Sequence, residues 1–152
     1  MPAFGMASRE RKATCHPDIQ RVFDRVILVF DCHILEGHRT TQRQQKLWFQ
    51  GRDANGFVVD KKQIVTYKDG IIKRSNHQTY PSIAIDAAPW YPVAPHVRWD
   101  EKSINRWYFF AGFVLATATD MGIALRSGCD FNRNWEVEDE TFVDLSHYEL
   151  IL

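Results

Sequence analysis

The stretch SNHQTYPSIAIDAAPW, residues 75–90, joins a polar loop to a short apolar run. The run from Ile83 to Ile85 is typical of a buried strand, and Asp86 follows it directly. His77 stands earlier, in a loop that contains Pro81. The stretch therefore predicts a strand that fixes a carboxylate and a loop that brings an imidazole towards it.

A second polar segment, DLSHYEL, forms residues 144–150 near the end of the chain. Alternate residues of a strand share one face, so a strand here points His147 and Glu149 the same way. The two segments together offer two imidazoles and several carboxylates. We expect them to meet in the folded chain.

These side chains include a possible ligand set for zinc. A mononuclear catalytic zinc site takes three protein ligands and leaves the fourth position to water. His77, Asp86 and His147 suffice for that, with Asp144 left over as a general base and Glu149 as a partner that orients a ligand or a substrate group. The spacing matches no general zinc pattern, and an arbitrary trio of this kind is more often an ordinary polar cluster.

The order of the motifs resembles a known family. The pattern S-x-H, P-S-x-A-x-D and D-x-x-H-[aromatic]-E-L is similar to that of zinc peptidases of the D-alanyl-D-alanine carboxypeptidase and VanX/VanY type. It looks most like the phage L-alanyl-D-glutamate endopeptidases, endolysins that cut bacterial peptidoglycan. The matching residues are Ser75, His77, Pro81, Ser82, Ala84, Asp86, Asp144, His147, Tyr148, Glu149 and Leu150. The resemblance implies that His77, Asp86 and His147 bind Zn²⁺ and that Asp144 is the catalytic base.

The segment from Glu36 to Arg52 is similar to the family's G-[aromatic]-R-[ST] stretch and the helix after it. The resemblance places Arg39 beside the metal, where a guanidinium can bind an oxyanion or a substrate carboxylate. The alternative for Arg39 is a salt bridge to Glu36. Ser75, which opens the S-x-H motif, is expected to bind substrate. His38 and Ser146 depart from the family pattern, which more often has an aromatic residue and a proline there.

The resemblance implies hydrolysis of the peptide stem of peptidoglycan, at the bond between L-alanine and D-glutamate, by a phage endolysin. A D-alanyl-D-alanine carboxypeptidase or dipeptidase is the first alternative. A non-catalytic zinc-containing virion or wall-binding module is the second. We expect the protein to reside in the host cytoplasm before release to the cell wall, because its N-terminus lacks the apolar core of a signal peptide.

Composition limits the classes of protein and of partner. The chain has 152 residues, 45% of them hydrophobic, which suits a single compact domain over 1–152. Its 19 basic and 19 acidic residues leave no net charge to attract nucleic acid or an anionic membrane. Three cysteines in no paired motif argue against a disulfide framework. We expect a monomer.

Periodicity predicts the remaining elements. Residues 1–14 are expected to be a mobile lead-in, and helices are predicted over 17–32, 41–51 and 103–121. Short strands are predicted at 34–35 and 63–67, besides the two polar segments above. This order favours an α+β fold in which a small antiparallel sheet carries the zinc site and packs against helices.

One further motif concerns calcium. Asp130, Asn132 and Asn134 form D-x-N-x-N, which resembles the opening of a calcium loop. Trp135 stands where such a loop needs glycine, and Thr141 stands in place of a bidentate glutamate. A calcium site and an ordinary polar surface loop are both open from the sequence.

Overall fold

A computed structural model describes residues 1–152, in which four helices pack against a four-stranded sheet. The helices are α1 (Met6–Ala13), α2 (Pro17–Ile27), α3 (Thr41–Trp48) and α4 (Ile104–Asp120), and the strands are β1 (Cys32–Glu36), β2 (Ala84–Pro89), β3 (Leu125–Ser127) and β4 (His147–Leu150). The strand order is β1-β2-β4-β3 and every pair is antiparallel. The α+β prediction with a small antiparallel sheet is confirmed.

One face of the sheet forms the hydrophobic core. Ile34, Ile85 and Tyr148 are fully buried on that face, where α2 and α4 cover them. Phe23 of α2 and Phe110 of α4 both meet the ring of Tyr148 edge-on. Two aromatic contacts at right angles fix the helices over the centre of the sheet. No helix of the protein is both long and apolar enough to cross a membrane.

The opposite face of the sheet is polar, as alternation along each strand requires. Across the sheet Glu36 pairs with Asp86, and Asp86 pairs with His147, so the three residues form one row. Arg126 pairs with Glu149 in the neighbouring row. Side chains directly opposite each other on antiparallel strands lie within contact distance. The sheet thus gathers charged groups from four strands at one place.

The N-terminal residues differ from the expected mobile lead-in, because residues 6–13 form α1. The Ser8 side chain is fully buried, and its Oγ accepts a hydrogen bond from the Ile34 backbone N–H at 3.0 Å. Arg11 donates from Nη1 to the Ile34 carbonyl at 2.8 Å. These two side chains occupy the hydrogen-bonding groups of Ile34 at the edge of β1, so α1 is part of the domain. The apolar pattern gave no sign of this, because polar groups make the attachment.

The strand predicted over 63–67 is wrong. Residues 61–63 form a 3-10 turn, and the backbone from 64 to 68 pairs with no strand. This segment is held by side chains: buried Gln44 donates to the Lys68 carbonyl at 2.7 Å, and Arg52 donates to the Thr66 carbonyl at 3.2 Å. The three predicted helices all form, with ends trimmed by one to five residues.

Candidate metal centre

The three predicted ligands converge at one point on the polar face of the sheet. His77 Nε2 and His147 Nδ1 each lie 3.4 Å from Asp86 Oδ1. The two ring nitrogens are 3.3 Å apart. Each atom therefore stands almost equally far from the other two, and the three form a nearly equilateral triangle.

Hydrogen bonds orient both imidazoles towards this triangle. The Nδ1 of His77 lies 2.8 Å from the Gly37 carbonyl oxygen, which can only accept, so this nitrogen carries the proton. The Nε2 of His147 donates in the same way to Glu149 Oε2 at 2.9 Å. The remaining nitrogen of each ring then presents a lone pair to the centre. Outer partners of this kind are typical of metal-binding histidines.

The arrangement fits a zinc ion. Zinc at about 2.05 Å from nitrogen and oxygen ligands in tetrahedral geometry separates those ligands by about 3.3 Å. The triangle has that size. Asp86 Oδ1 is buried and has no hydrogen-bond partner, which is costly for a carboxylate oxygen unless a cation satisfies it.

The charges at the centre favour a cation. Burial alone would lower the pKa of His147, but the Asp86 and Glu149 carboxylates outweigh burial and raise that pKa to about 9. Burial likewise opposes ionisation of Asp86, yet the neighbouring His147 and His77 hold its pKa well below the ordinary value. The site thus keeps its carboxylate ionised and stabilises positive charge beside it.

The turn after β1 explains how His77 is held. A side chain at Gly37 would collide with the Arg11 carbonyl and the Thr14 hydroxyl, so glycine is required there. The turn accepts the His77 ring proton through the Gly37 carbonyl, and the Arg39 N–H donates to the His77 carbonyl at 2.8 Å. Hydrogen bonds therefore fix both the ring and the backbone of His77.

Glu149 acts as an anionic support under His147. Besides His147, its carboxylate accepts from Asn76 Nδ2 at 2.7 Å and from Arg126 Nε at 2.6 Å. Burial would raise the pKa of Glu149, but His147, Asn76 and Arg126 together lower it to about 2. Both of its oxygens are occupied. Sequence reasoning predicted the Glu149–His147 contact but missed Asn76 and Arg126, whose partners are remote in the chain.

Asp144 differs from Glu149 in its surroundings. Burial, followed by the nearby charge of Asp86, raises the pKa of Asp144 above its ordinary value. Its side chain accepts one hydrogen bond, from the Ser146 hydroxyl at 3.2 Å, and it lines the same cavity as the three ligands. A carboxylate with a raised pKa and a free oxygen suits a general base. Glu149 has neither property.

Gly128 fixes the turn that carries Asp144. Its N–H donates to the His147 carbonyl at 2.7 Å, and its own carbonyl accepts from the Asp144 N–H at 2.8 Å. A side chain at position 128 would collide with the Asp144 backbone. The backbone of Gly128 therefore holds both Asp144, the candidate base, and His147, a candidate ligand.

Arg39 lies beside the centre, as predicted, but most of its donors are engaged. It forms a paired contact with Glu36, at 3.0 Å from Nε and 2.7 Å from Nη2, and Nη2 also reaches Asp86 Oδ2 at 3.5 Å. Nη1 donates to Gln44 Oε1 at 2.8 Å. Four of the five guanidinium N–H groups are thus taken. The salt bridge to Glu36 exists, and Arg39 also steadies the outer oxygen of a ligand.

Ser75 is nearly buried at the start of a 3-10 turn, Asn76–Gln78. Its hydroxyl oxygen accepts from the His77 N–H at 3.3 Å, and Gln78 Oε1 accepts in return from the Ser75 N–H at 2.8 Å. This is a capping box, which fixes the backbone of the turn. The observed contacts of Ser75 orient His77, although the residue also borders the cavity.

The centre opens into a cavity of about 490 Å³. Three aromatic side chains, Tyr67, Phe131 and Phe142, form part of its lining. The Phe131 ring lies 6.1 Å from the His147 ring and 6.0 Å from the Phe142 ring, measured between centroids. Sequence reasoning missed these aromatics because no local pattern links residues 67, 131 and 142.

The D-x-N-x-N motif forms a turn at the rim of this region. Asp130 is nearly buried and accepts from the backbone N–H groups of Asn134 and Trp135, both at 3.1 Å. Trp135 has a φ of 68°, the left-handed conformation that favours glycine. Asn132 and Asn134 both contact Asp139 Oδ2, at 3.1 and 2.7 Å.

Two solved structures resemble this fold. The crystal structure of the Serratia marcescens L-Ala D-Glu endopeptidase ChiX has a TM-score of 0.66 and 21% sequence identity, over 99% of this chain and 91% of that one. The E175A mutant of the vancomycin resistance D,D-pentapeptidase VanY, in complex with Zn(II), has a TM-score of 0.52 and 14% identity, over 90% and 70% of the two chains. Likenesses at this identity show the fold alone. None of the curated proteins matches the chain in sequence.

A protein-family comparison carries the identification further. The model of the family described as phage L-alanyl-D-glutamate peptidase matches residues 2–151. The match includes every ligand, the candidate base and α1, and so agrees with the motifs and with the geometry of the centre. This chain belongs to the phage L-alanyl-D-glutamate peptidase family.

Proposed function

We propose that the protein, a peptidoglycan peptidase by family, hydrolyses the bond between L-alanine and D-glutamate in the peptide stem with one zinc ion bound by His77, Asp86 and His147. The observation that carries this proposal is the triangle of two ring nitrogens and the unpaired Asp86 oxygen, which has the size that zinc requires and borders an open cavity. Zinc is the ion that suits two imidazoles and one carboxylate with a fourth position left open.

When bound, zinc would polarise the scissile carbonyl and increase the acidity of a water molecule. In this proposal Asp144 accepts the proton of the attacking water and hands it to the nitrogen of the leaving D-glutamate. The raised pKa of Asp144, caused mainly by burial, brings its proton affinity closer to what this transfer needs. Glu149 holds the His147 ring in the orientation that exposes Nδ1.

Arg39 and Ser75 take supporting roles in this mechanism. Arg39 holds Asp86 through Oδ2 and keeps one N–H of Nη1 for a substrate oxygen, so the expected oxyanion contact rests on that donor alone. Ser75 positions His77 through the capping box. Both residues border the cavity, which leaves them within reach of bound substrate.

Digestion of purified peptidoglycan tests the proposed bond. We expect mass spectrometry to find fragments with a new amino terminus at D-glutamate, together with glycan chains that end their stems at L-alanine. Released D-alanine would support the carboxypeptidase or dipeptidase alternative instead. New reducing sugar ends without new amino termini would exclude a peptidase, and intact peptidoglycan would favour the non-catalytic wall-binding alternative.

We infer a biological setting that agrees with the family. As a phage endolysin the protein would be held in the host cytoplasm until the membrane is breached, and would then act on the wall as a monomer. Lysis of host cells only after membrane permeabilisation, together with a monomeric mass in solution, would agree with both statements.

We also propose that the loop of residues 130–140 binds calcium. Asp130 and the glycine-like conformation of Trp135 support this, and Asp139 and Glu140 offer carboxylates that compensate for Thr141 at the twelfth position. A bound ion would order the segment that carries Phe131, Phe142 and Asp144.

Calcium titration of the zinc-loaded protein tests that site. We expect calcium to raise both thermal stability and hydrolysis, and we expect Asp130→Asn to remove both responses because it deletes a charged oxygen ligand. Zinc content should not change in either protein. A flat response of the unaltered protein in both measurements would leave residues 130–140 as a polar surface loop.

A further inference from the structure

The cationic side chains of the cavity wall are Arg39, Lys68 and Arg126, and they differ in one respect. Arg39 is paired with Glu36 and Asp86, and Arg126 is paired with Glu149. Lys68 has no acidic partner within 4.0 Å and its ammonium group makes no hydrogen bond in the protein. Lys68 is therefore the one lysine or arginine of the wall that forms no salt bridge within the protein.

The backbone at Lys68 is anchored although its side chain is exposed. Gln44, which is fully buried, donates to the Lys68 carbonyl at 2.7 Å and accepts from Arg39 Nη1 at 2.8 Å. Arg39 in turn contacts the ligand Asp86. A short chain of hydrogen bonds thus fixes the backbone of Lys68 relative to the metal centre. Its flexible side chain leaves the ammonium group free to bind a substrate group.

The proposed substrate carries a matching charge. D-Glutamate has two carboxyl groups, and the next residue of the stem uses one of them in its amide bond. The other carboxyl group is free or amidated, and it lies within a few bonds of the nitrogen released by cleavage. An unpaired cation in the cavity wall would distinguish these two forms, because a carboxylate forms an ion pair with an ammonium group, whereas a neutral amide offers only its carbonyl dipole.

We propose that Lys68 is a specificity-determining residue, which binds the free carboxylate of the D-glutamyl residue and favours carboxylate over amidated stems. This rests on the proposed function, since it requires a D-glutamyl residue beside the scissile bond. Arg126 is the less suitable cation for this task, because Glu149 neutralises it and it supports His147 through that residue.

Two synthetic stem peptides that differ only in a free or amidated D-glutamyl carboxyl group test the proposal, with the zinc-loaded protein. We expect the unaltered protein to prefer the carboxylate peptide, and Lys68→Met to lose about fivefold in kcat/KM on that peptide, a size expected for a solvent-exposed ion pair. The loss should appear mainly in KM. The rate on the amidated peptide should stay unchanged, and Lys68→Arg should retain the preference.

Lys73→Met is the matched control, because Lys73 is exposed on the same segment and does not border the cavity. We expect this variant to keep the full preference. An equal rate loss on both peptides in Lys68→Met, or an unchanged preference, would overturn the role of Lys68 while leaving the proposed function in place. If the unaltered protein cleaves neither peptide, the proposed function itself fails, and the two failures are therefore distinct.

Discussion

Asp144→Asn is expected to lower hydrolysis of peptidoglycan by about 10²- to 10⁴-fold, the contribution typical of a general base. The amide that replaces the carboxylate cannot accept a proton from water at neutral pH. Zinc binding should persist, because Asp144 contributes no atom to the triangle of ligand atoms. The measurement is the initial rate of stem cleavage at equal zinc content, with thermal denaturation as a test of folding.

The structure also specifies the control for this experiment. Glu149→Gln replaces the other carboxylate near His147, but it keeps an oxygen that can accept from the ring. We expect this variant to lose much less activity once zinc is saturating. Near-normal turnover in Asp144→Asn, with a severe loss in zinc-saturated Glu149→Gln, would transfer the role of base to Glu149.

The candidate ligand set could be predicted because it depends on local patterns and on the family resemblance. The run Ile83–Ile85 predicts a buried strand, which forms as Ala84–Pro89 with Asp86 inside it. The period of two places His147 and Glu149 on one face, which the structure confirms. The register that sets Asp86 against His147 was not predictable. It depends on how the two strands pair, and nothing in either strand alone determines that.

The hydrogen bonds around the ligands were beyond sequence reasoning for the same reason. Gly37 contacts a ring forty residues away, and Arg126 contacts Glu149 on the neighbouring strand. The α1 helix was missed because Ser8 and Arg11 attach it to β1 through polar groups, where an apolar stripe would have been visible. In contrast, Ile64 and Val65 suggested a strand that has no neighbour to pair with.

Removal of a single ligand gives the second large effect. We expect His77→Ala, Asp86→Ala and His147→Ala to lose the bound zinc and all hydrolysis, because two remaining ligands cannot complete the site. Metal analysis after dialysis against zinc-free buffer measures this directly. His38→Ala is the matched control, since His38 packs against Tyr80 and takes no part in the triangle. Its zinc content should equal that of the unaltered protein.

A milder substitution distinguishes the proposed ligand His147 from Glu149, which orients its ring. Glu149→Gln keeps the contact with His147 but loses the negative charge, so we expect zinc affinity to fall by about 10- to 100-fold, the usual effect of altering an outer partner. Zinc should therefore return when its concentration is raised, which should not happen in His147→Ala. Full zinc occupancy in His147→Ala would contradict the site, because the cation would then be held by groups other than the two ring nitrogens and Asp86 Oδ1.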